Sequence, residues 1–585
     1  QIKVLNDKTS LSIFLTNEKE SVEGEFTQDF DCIFHPEMEL SSPNSEKVFL
    51  NFTKIEKDSL PDDPEDRIAT FLFKDEYNFA QGHNCSVEWD QDDKDNKRSW
   101  VRTTFFPTYT VPEIKPREPT EEIKKLLDMR NLYEAQDSSK YKEILEPLVE
   151  KYSDWINDLT KEKKNIDPIF VDDFDIPQHQ IDNCLDAKKR IRKGIQIISE
   201  NVDAAEAFRF ANEAMYLQRI YSQWAQENRE RGGKVLRDEP ETDNPKDRPS
   251  WRLFQLAFIL LNIESIYNPK SLDRDTVDLL WFPTGGGKTE AYFGIIVFTM
   301  GLRRLLKKDT KSALEEFSRY GITVIMRYTY RLLTLQQFQR ASALMCACER
   351  IRLRVELNGK SENRKKFGNS PFLVGLWVGR ATTPNDFGEA AKRIYWMQQG
   401  GEYESENPVI LLSCPSCGRK LNAHNYGKAV RKKKQDGTEG DSFEFEEQKP
   451  SNNNPENFRP KRVRIKCHKD CFFGVPSDND RYLPVVFIDD DIRNFCPSLL
   501  ISTVDKFAQI SWNYRYSSLF GKVGQYCAQD AFRPGNGANC NHNAVRWKDG
   551  TRSAFETAPL PNGIFQPELI IQDELHLISG PLGTL

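Results

Sequence analysis

Hydrophobic positions change their spacing along this chain. Up to residue 115 they come in short runs, at 47–52, 68–73, 85–89 and 100–106, separated by clusters of Asp, Asn, Pro and Gly. Short apolar runs between turn formers predict strands, so residues 1–115 are expected to form a β-rich domain, a small sandwich or barrel. Its aromatic residues, among them Trp89, Trp100 and Phe105, are the expected fill of a β core, with a nucleic-acid or partner platform as the alternative use. From 116 to 245 the apolar spacing shifts to three and four. Runs at 123–129, 141–152 and 184–224 predict helices, the last a long amphipathic pair that serves packing. Residues 229–250 are charged, contain Gly232-Gly233 and several prolines, and read as a linker. Beyond 246 the pattern alternates. Strand-like runs at 277–282, 321–331, 372–379, 497–503 and 570–571 are interleaved with helical stretches at 251–263, 291–300 and 332–348, which is the signature of a multidomain α/β protein.

Composition narrows this picture only slightly. A chain of 585 residues holds several domains, and 38% apolar with 29% charged residues is ordinary for a globular protein. The net charge of −7 does not announce nucleic-acid binding, so any such surface must be local. Twelve cysteines are too few for a disulfide scaffold at this length, and some stand at metal-ligand spacing, so a reducing cytoplasm is expected. No signal peptide is visible, and the longest apolar run, 253–263, is too short to span a bilayer. The chain begins at Gln1 and stops at Leu585, shortly after a carboxylate motif, so both ends are expected to be cut.

The densest chemistry lies at Trp281-Phe-Pro-Thr284-Gly285-Gly286-Gly287-Lys288-Thr289-Glu290. A strand, a glycine loop, Lys-Thr and a helix start form the geometry that binds a triphosphate. Backbone N–H groups make an anion-binding concavity, and the helix N-terminus adds its positive end. Lys288 is expected to reach the β and γ phosphates of ATP, and Thr289 to hold Mg²⁺ through its hydroxyl. The general loop pattern wants glycine at 282, where this chain has Phe282; Pro-Thr-Gly-x-Gly-Lys-Thr is the form many helicases use. Upstream, Gln255 carries an amide able to read the adenine edge. Downstream, Ile570-Ile-Gln-Asp573-Glu574-Leu-His576 reads as a buried strand ending in paired carboxylates. Asp573 is expected to bind Mg²⁺ through a water, Glu574 to orient and deprotonate the attacking water, and His576 to link this site to the rest of the machine. Between these motifs, strands ending in Arg327, Thr329 and Arg331, and in Ser502-Thr503, place phosphate-binding side chains at the carboxyl edge of a parallel sheet. Each hydroxyl taken singly could equally cap a helix.

Cys414-Pro-Ser-Cys417-Gly418 is a metal knuckle, and Cys467-His-Lys-Asp-Cys471 supplies a second pair about 50 residues on. Four thiolates fit a closed structural Zn²⁺ site within an insertion at about 400–480; His468 is a possible substitute for one of them. Basic runs inside the insertion, at 431–434 and 461–466, are either phosphate contacts or solvated loop. Cys527, Cys540 and His542, with Cys496, are candidates for a second metal. Cys32, His35, His83 and Cys85 lack knuckle spacing.

In order along the chain, Gln255, the glycine loop, Arg327 to Thr329, Ser502-Thr503 and Asp573-Glu-Leu-His576 resemble the motifs of superfamily 2 helicases. The resemblance implies that 246–585 is a first RecA-like domain, and that a second RecA-like domain, with its transition-state arginines, lies outside this chain; residues 1–585 alone would then turn ATP over poorly. Phe254 to Asn262, Ala207 to Asn212 and Gln572 to Gly580 further resemble the helicase subunit of bacterial DISARM anti-phage systems, the DrmA family. That family implies a cytoplasmic ATP-dependent helicase or translocase acting on DNA, single-stranded or tailed duplex, with a DUF1998-type partner subunit, DrmB. The motifs alone also allow an RNA helicase, a DNA-repair helicase, or a scaffold in which ATP acts only as a switch.

Overall fold

The computed structural model describes the chain except residues 1, 6–7, 19–32, 52–60, 91–96, 108–118, 136, 172–173, 234–237, 244–247, 283–285, 307–319, 330, 355–361, 380–381, 403–406, 434–438, 446–462, 476–480, 528–530, 535–544, 547–551, 554–556, 561 and 576–585. The chain divides into two compact units, one of 1–115 with 157–183, the other of 116–156 with 184–585. The helical stretch expected as its own domain is therefore shared, and most of it belongs with the α/β region.

In the first unit Glu39–Ser41, Trp100–Thr104 and Ser86–Trp89 form a three-stranded antiparallel sheet. Phe79 is buried between the ring of Trp89, 5.5 Å away, and the guanidinium of Arg98, 4.2 Å away, so Trp89 serves the core as expected. Phe105 does not; it is exposed and packs on His35 and Phe106. The run 68–73, expected as a strand, lies in a helix, Pro64–Leu72. Asp63 caps it by accepting from the Glu65 N–H at 2.7 Å, and Pro64 and the acidic first turn complete a helix start that outweighs the apolar run.

The second unit is built on a five-stranded parallel sheet. Its strands are β1 (Val324–Tyr328), β2 (Val374–Trp377), β3 (Val485–Val486), β4 (Leu499–Thr503) and β5 (Leu569–Gln572), in the order β3-β2-β4-β1-β5. Every residue of the central strand β4 is buried, as a parallel sheet covered on both faces requires. The main helices are α1 (Val202–Glu230), α2 (Leu253–Tyr267), α3 (Lys288–Leu305), α4 (Arg331–Arg352) and α5 (Phe387–Gln398). Helix α3 is buried on all sides, between the sheet, α1 and α2. Close approach needs small residues there: a Cβ on Gly294 would lie 2.5 Å from Ile259 of α2, and one on Gly301 would lie 2.9 Å from Phe210 of α1.

Two arginines fix the far end of α3. Arg303 donates to Glu568 at 3.1 Å and to the Ile322 carbonyl at 2.9 Å, tying the helix to the segments that enter β5 and β1. Arg304 donates to the carbonyls of Phe367, Ser370 and Pro371 and stacks 3.6 Å over Phe372. Complete burial pushes its guanidinium down to about 10, a desolvation offset by this full set of acceptors.

One expected strand does not form. Residues 277–282 pair with no described strand, and Val277, Leu279 and Trp281 are 92%, 74% and 73% exposed. The alternation is real, but the inward residues are held by side chains instead of a ladder. Asp278 accepts a two-pronged bond from Arg190, 2.6 Å on each arm, and Phe282 stacks on Phe254 at 4.3 Å.

Candidate functional site

The glycine loop meets α3 at Gly287, whose φ of 90° is left-handed and favours glycine. A Cβ there would come within 2.6 Å of the Gln255 amide. Three side chains brace the loop through its carbonyls. Lys288 Nζ donates to Phe282 O at 2.8 Å, Gln255 Nε2 donates to Gly287 O at 2.8 Å, and Arg252 donates to Gly286 O. The Gln255 carbonyl accepts from the Arg252 N–H at 2.8 Å, so both ends of this amide are engaged within α2 and the loop. Thr284 and Gly285 lie outside the described residues.

Residues far apart in sequence converge at the start of α3. Asp573 follows β5, and its N–H donates to Arg327 O, which fixes the strand tip against β1. Its Oδ2 accepts from the Tyr292 hydroxyl at 2.7 Å, and that hydroxyl lies 3.3 Å from Thr289 Oγ1. Burial first, and then the Asp573 carboxylate, push the Tyr292 phenol well above its usual range, so it stays a hydrogen-bond donor. Tyr328 is raised in the same direction, by burial first and then by Tyr292 and Asp573. Glu574 has a φ of 51°, uncommon for a residue with a side chain, and its N–H donates to Asp573 Oδ1 at 3.0 Å. A hydroxyl and a carboxylate joined through one phenol are hard oxygen donors that fit Mg²⁺, and a helix N-terminus with a lysine fits its phosphates. His576 lies outside the described residues.

Spacing alone did not single out Tyr292, which stands three residues after Thr289 and so shares its helix face. Arg340 was missed too; it comes from α4 and pairs with Glu290 at 2.5 Å.

The strand ends expected to face phosphates lie side by side. Arg327 is level with Ser502 on one side and Gln572 on the other, and Thr503 is level with Tyr328. Arg327 Nε, Thr329 Oγ1 and Thr503 Oγ1 are buried with no hydrogen-bond partner among the described residues. Ser502 instead donates to the Trp377 carbonyl at 2.9 Å, inside the sheet. Just after Thr503, Lys506 is buried and paired with Asp489 at 3.1 Å, which anchors that turn. The side chain of Arg331 lies outside what is described.

The four cysteines come together. Cys414, Cys417, Cys467 and Cys471 are buried, with all four Sγ atoms within 4.8 Å of one another. Four thiols in a closed, buried cluster suit a tetrahedral metal such as zinc. Burial and a hydrogen bond with Cys417 raise the Cys414 thiol, while thiol donors from Cys414, Cys417 and Cys467 hold Cys471 low. His468 is exposed and outside the cluster. Cys496 also stands apart: its thiol donates to the Arg493 and Ser518 carbonyls, and burial pushes it up to about 12. Cys540, His542, Cys32 and the side chain of Cys527 lie outside the described residues.

The centre is seated on the helices of the sheet. A Cβ on Gly418 would lie 2.0 Å from the Ala225 carbonyl of α1. Asn228 of α1 donates to Cys417 O at 3.0 Å, and Arg350 of α4 donates to Ser416 Oγ at 3.2 Å while lying 3.8 Å over the Tyr221 ring.

No family model matches the chain. Among curated proteins it is 33% identical to the DISARM protein DrmA of Bacillus paralicheniformis over 586 residues, 98% of this chain. This chain is DrmA-like. It spans 46% of the length of that relative, about half. The DrmA-like region takes in both units, so the resemblance carried by residues 207–212, 254–262 and 572–580 extends over nearly the whole sequence. No helix of the described residues is long and apolar enough to cross a membrane.

Proposed function

We propose that this chain is the ATP-binding part of a superfamily 2 helicase-type motor that acts on DNA within a DISARM-type anti-phage system in the cytoplasm. The observation that carries this reading is the link from Thr289 through Tyr292 to Asp573, which joins the glycine-loop helix to the tip of the edge strand across 281 residues of sequence between Tyr292 and Asp573. In this reading 246–585 is a first RecA-like domain. Lys288 leaves the Phe282 carbonyl to neutralise phosphate charge, aided by the N–H groups at 284–287. Thr289 and Asp573 hold the magnesium ion, which when bound offsets the charge of the phosphates. Glu574 orients the attacking water and takes its proton, and His576 passes the state of the site onward. Gln255 couples the loop to the adenine end. Arg327, Thr329, Arg331 and Thr503 line the sheet edge on which a DNA backbone rests. The four cysteines hold a structural zinc. A DUF1998-type subunit, DrmB, is the proposed partner.

The test is ATP turnover by the complete protein with single-stranded, duplex and tailed DNA and with RNA of equal length. Stimulation by single-stranded or tailed DNA is expected, and stimulation by RNA alone, or no turnover with any partner present, refutes the reading.

A further inference from the structure

Tyr292 has a place that the motif reading leaves unused. It is 8% exposed, at the start of the second turn of α3, and its one hydroxyl meets both Thr289 Oγ1, at 3.3 Å, and Asp573 Oδ2, at 2.7 Å. Those are the two side chains that have to share a magnesium ion if the proposed function holds. Asp573 Oδ1 is already engaged by the Glu574 N–H at 3.0 Å, so Oδ2 is the oxygen left to turn toward a metal or its water. A hydrogen-bond donor on that oxygen and a metal-bound water in the same direction exclude one another. Thr289 is not contested in this way: with the one Tyr292 proton on Asp573, the 3.3 Å contact is Thr289 donating to the phenol oxygen, and the Thr289 lone pairs stay open to the ion.

We infer that Tyr292 is a built-in competitor for magnesium: its hydroxyl donates to the Asp573 oxygen that a metal or its water needs, and has to release that oxygen when the ion binds. The consequence is a raised threshold for metal. The site closes on magnesium brought in with a nucleotide, whose phosphates supply further ligands, and resists the ion alone. Tyr292 is thus a positioning residue that acts through Asp573. Its ring is packed against Phe293, 6.2 Å between centroids, so the release is a rotation of the hydroxyl or a small shift of the ring.

This inference rests on the proposed nucleotide site, and the experiment separates the two. Mn²⁺ stands in for magnesium, and its binding to the complete protein is followed by electron paramagnetic resonance, with and without ADP, in wild type and Tyr292→Phe. The phenylalanine keeps the ring and deletes the competitor. Half-saturation by Mn²⁺ is expected to fall about tenfold in the variant, the worth of one hydrogen bond to a charged group. The fall should be larger for the ion alone than for the ion with ADP. In an Asp573→Asn background the same substitution should produce no shift, because the contested carboxylate is gone. Unchanged or weakened Mn²⁺ binding by Tyr292→Phe, with melting temperature and zinc content as in wild type, overturns the inference while leaving the nucleotide site standing. No ADP-dependent Mn²⁺ binding in wild type overturns both.

Discussion

At the cysteine centre, four sulfur atoms lie within 4.8 Å of one another, buried and already gathered for a metal. At the glycine-loop site, the groups of interest are each spent on another part of the protein. Lys288 is on a backbone carbonyl, Gln255 on two backbone groups, and Asp573 on Tyr292. Both regions draw on α4, through Arg350 at one and Arg340 at the other, and differ in what their polar groups do. A centre whose ligands are already together has one arrangement, which suits holding a fold. A site whose ligands are tied up in exchangeable hydrogen bonds has two, which suits a cycle of binding and release. The location of the bonds sharpens this. The far end of α3 is locked by Arg303 and Arg304 onto buried carbonyls, while at its near end Thr289 and Tyr292 are held by bonds that a nucleotide and its metal could replace.

The comparison can be broken from either side. The largest effect is expected at the cysteine centre: Cys414→Ser, or a strong chelator, should release zinc and lower the melting temperature by on the order of 10 °C. Nucleotide affinity measured below the new transition should hold, and a selective loss of nucleotide binding with unchanged melting would reverse the roles assigned to the two regions. Next comes Lys288→Ala. It should lower ATP turnover about a hundredfold or more, as removal of a preorganised cation does, with zinc content by atomic absorption unchanged. Turnover near wild type would remove Lys288 from the site.

How much of this was legible in the sequence follows from what each feature depends on. The cysteine pairs were readable because ligand spacing is local, and each knuckle is a tight turn closed by its own glycine, Gly418 or Gly474. Strands β1 and β4 were readable because buried parallel strands are continuous apolar runs; β5, expected to be buried, is an edge strand whose outer face is open, with Ile570 61% exposed. The run 277–282 has the same look, but a strand exists only if another offers a ladder, and its fate was decided by Arg190, 88 residues away. Residues 68–73 failed for the opposite reason. The deciding signal there is local, Asp63-Pro64 with an acidic first turn, and it outweighs the apolar run. Tyr292, Arg340 and Arg350 carry no motif; they matter because the fold delivers them to a place the motifs define. The pattern reading supplied the chemistry, and long-range pairing supplied the parts that hold it.

Two smaller effects probe the exchangeable side. Arg190→Ala cuts the fork to Asp278 and frees the segment that leads into the glycine loop. Nucleotide affinity should drop about tenfold, and the charge-swapped pair Arg190→Asp with Asp278→Arg should recover part of it. If the swap recovers nothing while melting temperature stays normal, the fork does not position the loop. Arg327→Ala removes a guanidinium from the row of strand ends. DNA affinity should weaken at every sequence, and the slope of log affinity against log salt should fall by about one, with nucleotide binding untouched. An unchanged slope would take Arg327 off the DNA path.

The smallest effect tests whether the closed side is as independent as its geometry suggests. Asn228 is fully buried on α1, and its amide donates to the carbonyl of Cys417 at 3.0 Å. The thiolates do not need that bond, since they are brought together by turns within their own segments, Gly418 N–H to Cys414 O at 2.8 Å and Gly474 N–H to Cys471 O at 2.9 Å. What the bond does is seat the centre against α1, beside Arg350 from α4. Asn228→Ala leaves a buried carbonyl without this donor, at a cost of about 1–2 kcal/mol. Melting temperature should therefore fall by a few degrees, with zinc still bound one to one and ATP turnover close to wild type. Loss of zinc from this variant would mean that the centre depends on α1 for its assembly, and the division between a self-contained metal centre and an exchangeable nucleotide site would have to be redrawn around α1, which packs on α3.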